Sequence, residues 1–500
     1  MEKALALPEI LENIGRFLDI KDLQSCSLVS KLWAKSMKQY LWWTLSIPKV
    51  IQTDDLRKVL YKFGHLIREL HINGEVKQDI LLEEYCTGLY GLTVKSNYQS
   101  DGLIRRSHQT LRSFCHYWEV VQSSSVQSTL FQCPRLEFLF FNSVLLSDTK
   151  ISSSFVEACT HLTSLTLNMA NWDFPEDILM PKSSFLKLER LTVSNYRNLK
   201  GLKSNMLDRC PNLKTLVCSQ PLGTRFKEFM DVIIATCRRL KVLWVIGGNI
   251  PPDDSDVKAV LKALPPMEFI QIRGYPYGKV IERNYASFLH PHHATLRAVE
   301  LSSRWTSAQI HKLLCSCPNL RAVFGYGTLS ADDIGSTSQW VCAKLECFRV
   351  RIAAFTVPEL SEERRVVFRR LAQLRHLRSL ELAALYPIND SVLTSPTYGF
   401  QLGEGLELLE PLKMLQQCCL SYLRPGLRKR DVKWMVRAWP SLTSFCAKLN
   451  PDDEENERLW KIFHSRGVWD QLSDSRGGPC ESVMTKCAIE YADADYQPVQ

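Results

Sequence analysis

The sequence predicts an α/β solenoid, with short parallel strands on its concave side, helices on its convex side and a small three-helix domain ahead of them. Three observations predict it. The first is a frame, C-P-x-L-x-x-L-x-h with h apolar, written at residues 210–218 and nearly copied at 133–141 and 317–324. With the proline replaced, it recurs from Cys159 and from Cys237. The second is its core, L-x-x-L-x-L, whose copies start at Ile67, Leu89, Leu111, Leu136, Leu162, Leu188, Leu213, Leu240, Met267, Leu296, Leu320, Leu345 and Leu377, with weaker ones at Leu412 and Leu442. Subtracting neighbours gives steps of 22 to 29 residues as far as Leu345, then 32, 35 and 30. The third is the helical spacing of apolar residues between copies, as in 226–237, where Phe229, Val232, Ile233 and Cys237 share one face.

That period lies in and just above the leucine-rich-repeat range, and the frame resembles cysteine-containing leucine-rich repeats, although the Asn or Cys that usually follows the strand is irregular. The resemblance implies one strand and one helix or helical turn per unit. No single unit buries its own apolar face, so stacked units share a continuous core. Cys133, Cys159, Cys210, Cys237 and Cys317 each stand three residues before the first Leu of a copy. One register for all five argues for a small buried hydrophobe closing each helix. The seventeen cysteines contain no C-x-x-C, and neither Cys315 with Cys317 nor Cys418 with Cys419 has zinc-ligand spacing.

Residues 1–48 lie outside the repeats. Pro8 suits the first position of a helix, and Ile10, Leu11, Ile14, Phe17 and Leu18 follow as an apolar stripe. Asp22 is expected to cap a second helix bearing Leu23, Cys26 and Val29, and Ser30 a third bearing Leu32, Trp33, Met37, Tyr40 and Leu41. Three short helices make a marginal core, so docking to a partner is expected. Leu7-Pro8 with Ile10-Leu11, then Asp22-Leu23, then Ser27 through Trp33 resemble the F-box pattern L-P-x-E-I, D-L, S-x-V-x-x-x-W. Glu9 comes one place early, and Gly15 weakens its helix by about 1 kcal/mol relative to Ala. The resemblance covers about a tenth of the chain, and a box ahead of leucine-rich repeats is itself a family architecture, common among fungal F-box-like proteins. It implies that Leu7, Pro8, Ile10, Leu11, Leu18 and Trp33 form the surface, or its supporting core, that binds a Skp-type linker protein. The bland alternative is a helical cap shielding the first repeat.

Residues 49–66 read as a helical connector, with Trp42 and Trp43 welding the box to the repeats. The array is expected over 67–450, with a helix over 361–380 that turns Val367, Leu371 and Leu374 inward and Arg364, Arg365, Arg369, Arg370 and Arg375 to solvent. An insertion rich in Pro and Gly runs over 386–405. Residues 451–470 read as a capping helix with Leu459, Trp460, Ile462 and Phe463, and 471–500 as a disordered tail.

Composition bounds the function. The chain of 500 residues is 45% hydrophobic and 23% charged, with formal net charge +9; this permits an acidic partner without demanding one. No apolar run reaches the roughly 18 residues of a membrane span, and the N-terminus lacks a secretory pattern. A cytoplasmic or nuclear location and no membrane association are expected. There is no P-loop, G-x-G-x-x-G, G-x-S-x-G or H-E-x-x-H; no enzyme activity, cofactor or metal is expected. His290-Pro291-His292-His293 reads as an ordinary loop, because Pro291 interrupts any common face. Basic clusters at 424–437 and 365–375 read as solvated helix faces, since no nucleic-acid module or aromatic stacking platform accompanies them.

By resemblance the chain is expected to be a substrate adaptor of an SCF-type ubiquitin ligase, reaching a cullin-RING ligase through the linker. The alternative is a repeat scaffold for protein or nucleic acid outside ubiquitination. The strand positions between and beside the core leucines point away from the core. From Trp244 onward they become large, aromatic and basic, so Trp244, Phe269, Arg273, Phe324, Tyr326, Arg349 and Arg351 are expected to bind a target presenting acidic or phosphorylated groups. The first three repeats are blander there.

Overall fold

The computed structural model describes residues 8–15, 17–48, 53–74, 82–96, 98–117, 124–142, 149–168, 185–194, 207–219, 226–247, 254–274, 289–301, 305–325, 327–336, 338–352, 361–383, 400–420 and 426–470. It divides into two compact units. The first holds residues 1–220 with 231–239, and the second 221–230 with 240–500.

In the first unit, helices α1 (Pro8–Gly15), α2 (Ile20–Ser27) and α3 (Lys31–Leu41) precede eight strands. These are β1 (Thr44–Ile47), β2 (Glu69–Ile72), β3 (Gly91–Val94), β4 (Ser113–His116), β5 (Phe138–Phe141), β6 (Ser164–Asn168), β7 (Arg190–Ser194) and β8 (Thr215–Ser219). Each pairs in parallel with the next in sequence. The register places the second Leu of every frame in one column, Leu70, Leu92, Phe114, Leu139, Leu165, Leu191 and Leu216, and all seven are buried. Alternate residues of a strand leave by opposite faces, so this column and the third apolar position line the core.

The second unit repeats the pattern with β9 (Val242–Gly247), β10 (Phe269–Gly274), β11 (Ala298–Leu301), β12 (Ala322–Gly325), β13 (Thr328–Leu329) and β14 (Cys347–Ile352). It continues with β15 (Ser379–Ala383), β16 (Gln417–Cys419), β17 (Ser444–Cys446) and β18 (Trp469–Asp470). All pairings within it are parallel. Gly325 holds φ +123°, and a Cβ there would collide with the Leu301 carbonyl of the strand beside it; this copy needs glycine where others carry a core residue.

The cysteine frame is a helix stop. Cys133, Cys210 and Cys317 donate their N–H back to Leu130, Leu207 and Leu313, and their own carbonyls accept from Leu136, Leu213 and Leu320. The following proline cannot donate to a further helical turn. All five frame cysteines are at most 2% exposed, and burial pushes the thiols of Cys133, Cys237 and Cys317 up to about 12. Asn212 and Asn319, next in the frame, each donate from Nδ2 to a carbonyl of the preceding unit, Leu186 O at 2.7 Å and Ala294 O at 2.8 Å. The residue after the first Leu adds a ladder of charge. Glu268 lies between Lys241 at 2.9 Å and Arg297 at 3.3 Å, and Glu346 between Arg321 at 3.7 Å and Arg378 at 3.6 Å. Each of these carboxylates, 12% and 19% exposed, thus bridges cations from the repeats on either side of it and ties the neighbouring repeats in register.

Several expectations are corrected. The strands of the first unit begin at β1, one before the first sequence copy, and those of the second end at β18, beyond the capping helix Asp453–His464. The helix expected over 361–380 spans Ser361–Leu371, because the frame at Leu377, Leu380 and Leu382 takes the rest as turn and strand. Arg364, expected in solvent, is buried, while Arg365 pairs with Glu407 at 3.2 Å and Arg369 with Glu362 at 2.9 Å. Most of the 386–405 insertion and all of 471–500 lie outside the described residues.

The aromatic weld is present. Trp43 packs on the core of the three helices and edge-on to Tyr90 at 5.7 Å. Its carbonyl accepts from Arg68 and Glu69 N–H at 2.8 and 2.9 Å, which starts the ladder between β1 and β2. Trp42 stacks on Phe63 at 4.0 Å.

Candidate functional site

Two surfaces carry the candidate residues, one on the N-terminal helices and one on the outward face of the sheet. The second and third helices start at side-chain caps. Ser30 accepts from Trp33 N–H at 3.2 Å, as expected of a third-helix cap. The second helix is capped by Asp19 rather than Asp22: Asp19 Oδ1 accepts from Asp22 N–H at 2.8 Å. Leu11, Leu23, Met37 and Tyr40 make the core, with Leu18, Cys26, Trp33, Leu41 and Trp43 packed against it. Gly15 has a reason to be glycine, since a Cβ there would meet Tyr40 Cδ2 at 2.5 Å.

Leu11 is therefore wholly a core residue, Leu18 and Trp33 are half-buried supports, and Ile10 is exposed. Pro8 opens α1, with its side chain outside the described residues, as is Leu7. The helical pattern overran the helices. Because α1 stops at Gly15 and α2 at Ser27, Phe17 and Val29 do not join the core stripe; they are 87% and 65% exposed, with Leu28 at 86%. Ile20 and Leu32 are exposed as well. Of twelve exposed large apolar side chains among the described residues, six fall within residues 10–32. Exposed apolar side chains gathered in this way are what interaction surfaces present. Sequence reasoning missed Phe17, Ile20, Leu28, Val29 and Leu32 because it counted them as core or left them out; the signal was three short helices with more large apolar residues than they can bury.

On the sheet of the second unit, the expected target residues are closed to solvent. Trp244, Phe269, Phe324 and Arg349 are 6%, 0%, 2% and 8% exposed. Phe269 lies edge-on to Trp244 at 6.4 Å and stacks on Phe324 at 6.5 Å. Small Ala298, the register partner of both Phe269 and Ala322, leaves room for that stack. Trp244 Nε1 has no hydrogen-bond partner among the described residues. Arg349 donates to Ser379 Oγ at 3.2 and 3.3 Å and to Gln417 Oε1 at 3.4 Å, and faces Glu381 at 3.9 Å. Its charge is already answered within the fold. Arg351 is half-buried; the Arg273 side chain and Tyr326 lie outside the described residues.

The histidine run is occupied in part. His292 Nε2 donates to Leu261 O at 2.9 Å and its Nδ1 accepts from Met267 N–H at 3.3 Å, leaving neither nitrogen for a metal. Among the described residues no three His, Cys, Asp or Glu side chains converge as ligands.

Residues 5–44 match the F-box domain family. The F-box match covers the three helices and stops at the first residue of β1. No curated protein matches the chain. Among solved structures, it is similar to an internalin of Listeria monocytogenes, at 11% identity and TM-score 0.35 over 84% of this chain and 93% of that one. It is also similar to the leucine-rich-repeat-containing protein LegL7 of Legionella pneumophila, at 16% identity and TM-score 0.29 over 71% of this chain and 99% of that one. Likenesses that distant carry no argument; the strand register itself establishes the repeats. The fold is α/β, with F-box helices followed by leucine-rich repeats.

Proposed function

We propose that the chain is the substrate-recognition adaptor of an SCF-type ubiquitin ligase. In this reading residues 1–48 bind a Skp-type linker and through it a cullin-RING ligase. Residues 49–66 connect, 67–450 hold a protein target, and 451–470 cap the array. The observation that carries the reading is the F-box match on helices that leave Phe17, Ile20, Leu28 and Val29 in solvent. The adaptor itself is no enzyme. It accelerates transfer by holding a target lysine beside a charged conjugating enzyme, which raises its effective concentration. Such work takes place in the cytoplasm or nucleus, and no helix among the described residues is long and apolar enough to cross a membrane.

The test is co-purification of the full chain with a Skp-type linker and a cullin. Phe17→Ser/Leu28→Ser/Val29→Ser should abolish capture while the fold persists, because exposed positions each shift stability by no more than about 0.5 kcal/mol. Pro8→Ala/Leu11→Ala should also weaken capture, but through the core, since truncating a buried Leu costs about 2–5 kcal/mol. Undiminished capture by the exposed-site variant would sink the assignment of that surface. A parent chain that captures no linker would leave a binding scaffold outside ubiquitination.

A further inference from the structure

We infer that the target-docking surface is the outward sheet face of the first unit, centred on Tyr117, Phe140 and Phe138, and that its occupant is a protein segment presenting an aromatic ring beside a carboxylate. The inference rests on the adaptor reading and specifies its target side. Tyr117 is 41% exposed and stacks on Phe140 at 4.3 Å with the ring planes 28° apart. Phe138 precedes Phe140 by two residues in β5, so both rings leave by the same face, and both are half-buried. Around them the outward positions are small and polar: Thr166, Thr192, Asn142, Asn168 and Ser194. Aromatic side chains held in a polar, accessible surround are what binding hot spots consist of.

Charge selects the occupant. Lys95 is exposed, two strands from β5, with its ammonium 5.3 Å from the Tyr117 ring. The fifth and seventh frame positions of β1 to β8 contain no carboxylate among the described residues. Glu69, on the third position of β2, is engaged by Thr44 Oγ1 at 3.1 Å and stands about 13 Å away along the strand direction at 3.3 Å per residue. Glu137 lies opposite Arg112 at 3.9 Å. A carboxylate from outside therefore meets Lys95 without a competitor on those positions, while a ring beside it covers the Tyr117–Phe140 stack.

The test selects a displayed random-peptide library on the full chain, immobilised by a C-terminal tag so that the result does not depend on the linker, with linker capture measured separately. Selected peptides should be enriched in an aromatic residue next to Asp or Glu. Their affinity should fall about tenfold or more with Tyr117→Ser, and Lys95→Glu should weaken them and favour peptides in which Lys replaces the acid, with thermal stability and linker capture unchanged. Selected peptides without that bias, equal binding to both variants, or no selection at all overturns the inference. So does a parent that elutes as a dimer and becomes monomeric with Tyr117→Ser, which would assign the patch to a second copy. Loss of linker capture with peptide selection intact would instead remove the adaptor reading alone.

Discussion

The two units use one frame for their strands and differ in what their outward faces leave exposed. In the first, the outward fifth position leaves His71, Phe140, Thr166 and Thr192 half-buried, while Thr93, Cys115 and Val217 are buried. In the second, Trp244, Gln271, Glu300, Phe324 and Arg349 are none more than 8% exposed, and Glu381 and Cys419 after them are half-buried. The run of large side chains from Trp244 to Arg349 is thus closed to solvent, whereas Phe140 is half-buried. Parallel strands stand about 4.8 Å apart, so a ring on one strand reaches the ring of a neighbour and both leave water. Thr166 and Thr192, on the strands after β5, are too short to cover Phe140, which stays half-buried. An aromatic pair flanked by short side chains therefore marks an open site better than a continuous row of large ones.

The comparison is broken most directly at Phe269. Truncating a fully buried Phe costs about 3–5 kcal/mol, so Phe269→Ala should lower the unfolding free energy of its unit by that amount in a urea titration followed by tryptophan fluorescence. Tyr117→Ser, on the open face, should change it by less than about 0.5 kcal/mol; equal losses would mean that the two faces do not differ. Next comes Arg349. Removing one member of a buried charged pair costs about 3 kcal/mol because the other is left unanswered, whereas replacing both by apolar residues is close to neutral. Arg349→Met alone should destabilise, and Arg349→Met/Glu381→Leu should recover most of the loss. A double variant as unstable as the single one would show that Ser379 and Gln417 matter more than Glu381.

The smallest effect concerns His116, which sits in the core of the first unit between Phe114 and Phe141, with ring centroids at 6.4 and 6.3 Å. Burial lowers its pKa from 6.5 to about 4. The unfolded imidazole takes up its proton as pH falls through 6.5, while the folded one resists until about 4, so the unfolded state binds more protons between those values. Stability then falls with pH across that window and levels off below it, by about 2 kcal/mol at pH 5. His116→Phe should remove this slope from the pH dependence of the melting temperature. If the slope survives, other groups carry it.

Much of this was legible in the chain. Recurrence of the frame located the strands, since Leu191, Leu216 and their counterparts fall in one register column. The fixed place of cysteine before proline located the helix stops, and Ser30 ahead of Trp33 located a cap. These follow from the sequence because each depends on spacing along the backbone and on hydrogen bonds to residues a few places away. What the tertiary structure alone decided is accessibility. Periodicity tells which side of a strand Trp244 or Phe140 leaves by, but not whether neighbouring repeats then cover it. It marked Phe17 and Val29 as apolar, but not that α1 and α2 end before reaching them. It counted Arg364 among solvated charges, although the packed helix buries it. Burial is set by groups brought together from distant parts of the chain, and no local spacing records their distance.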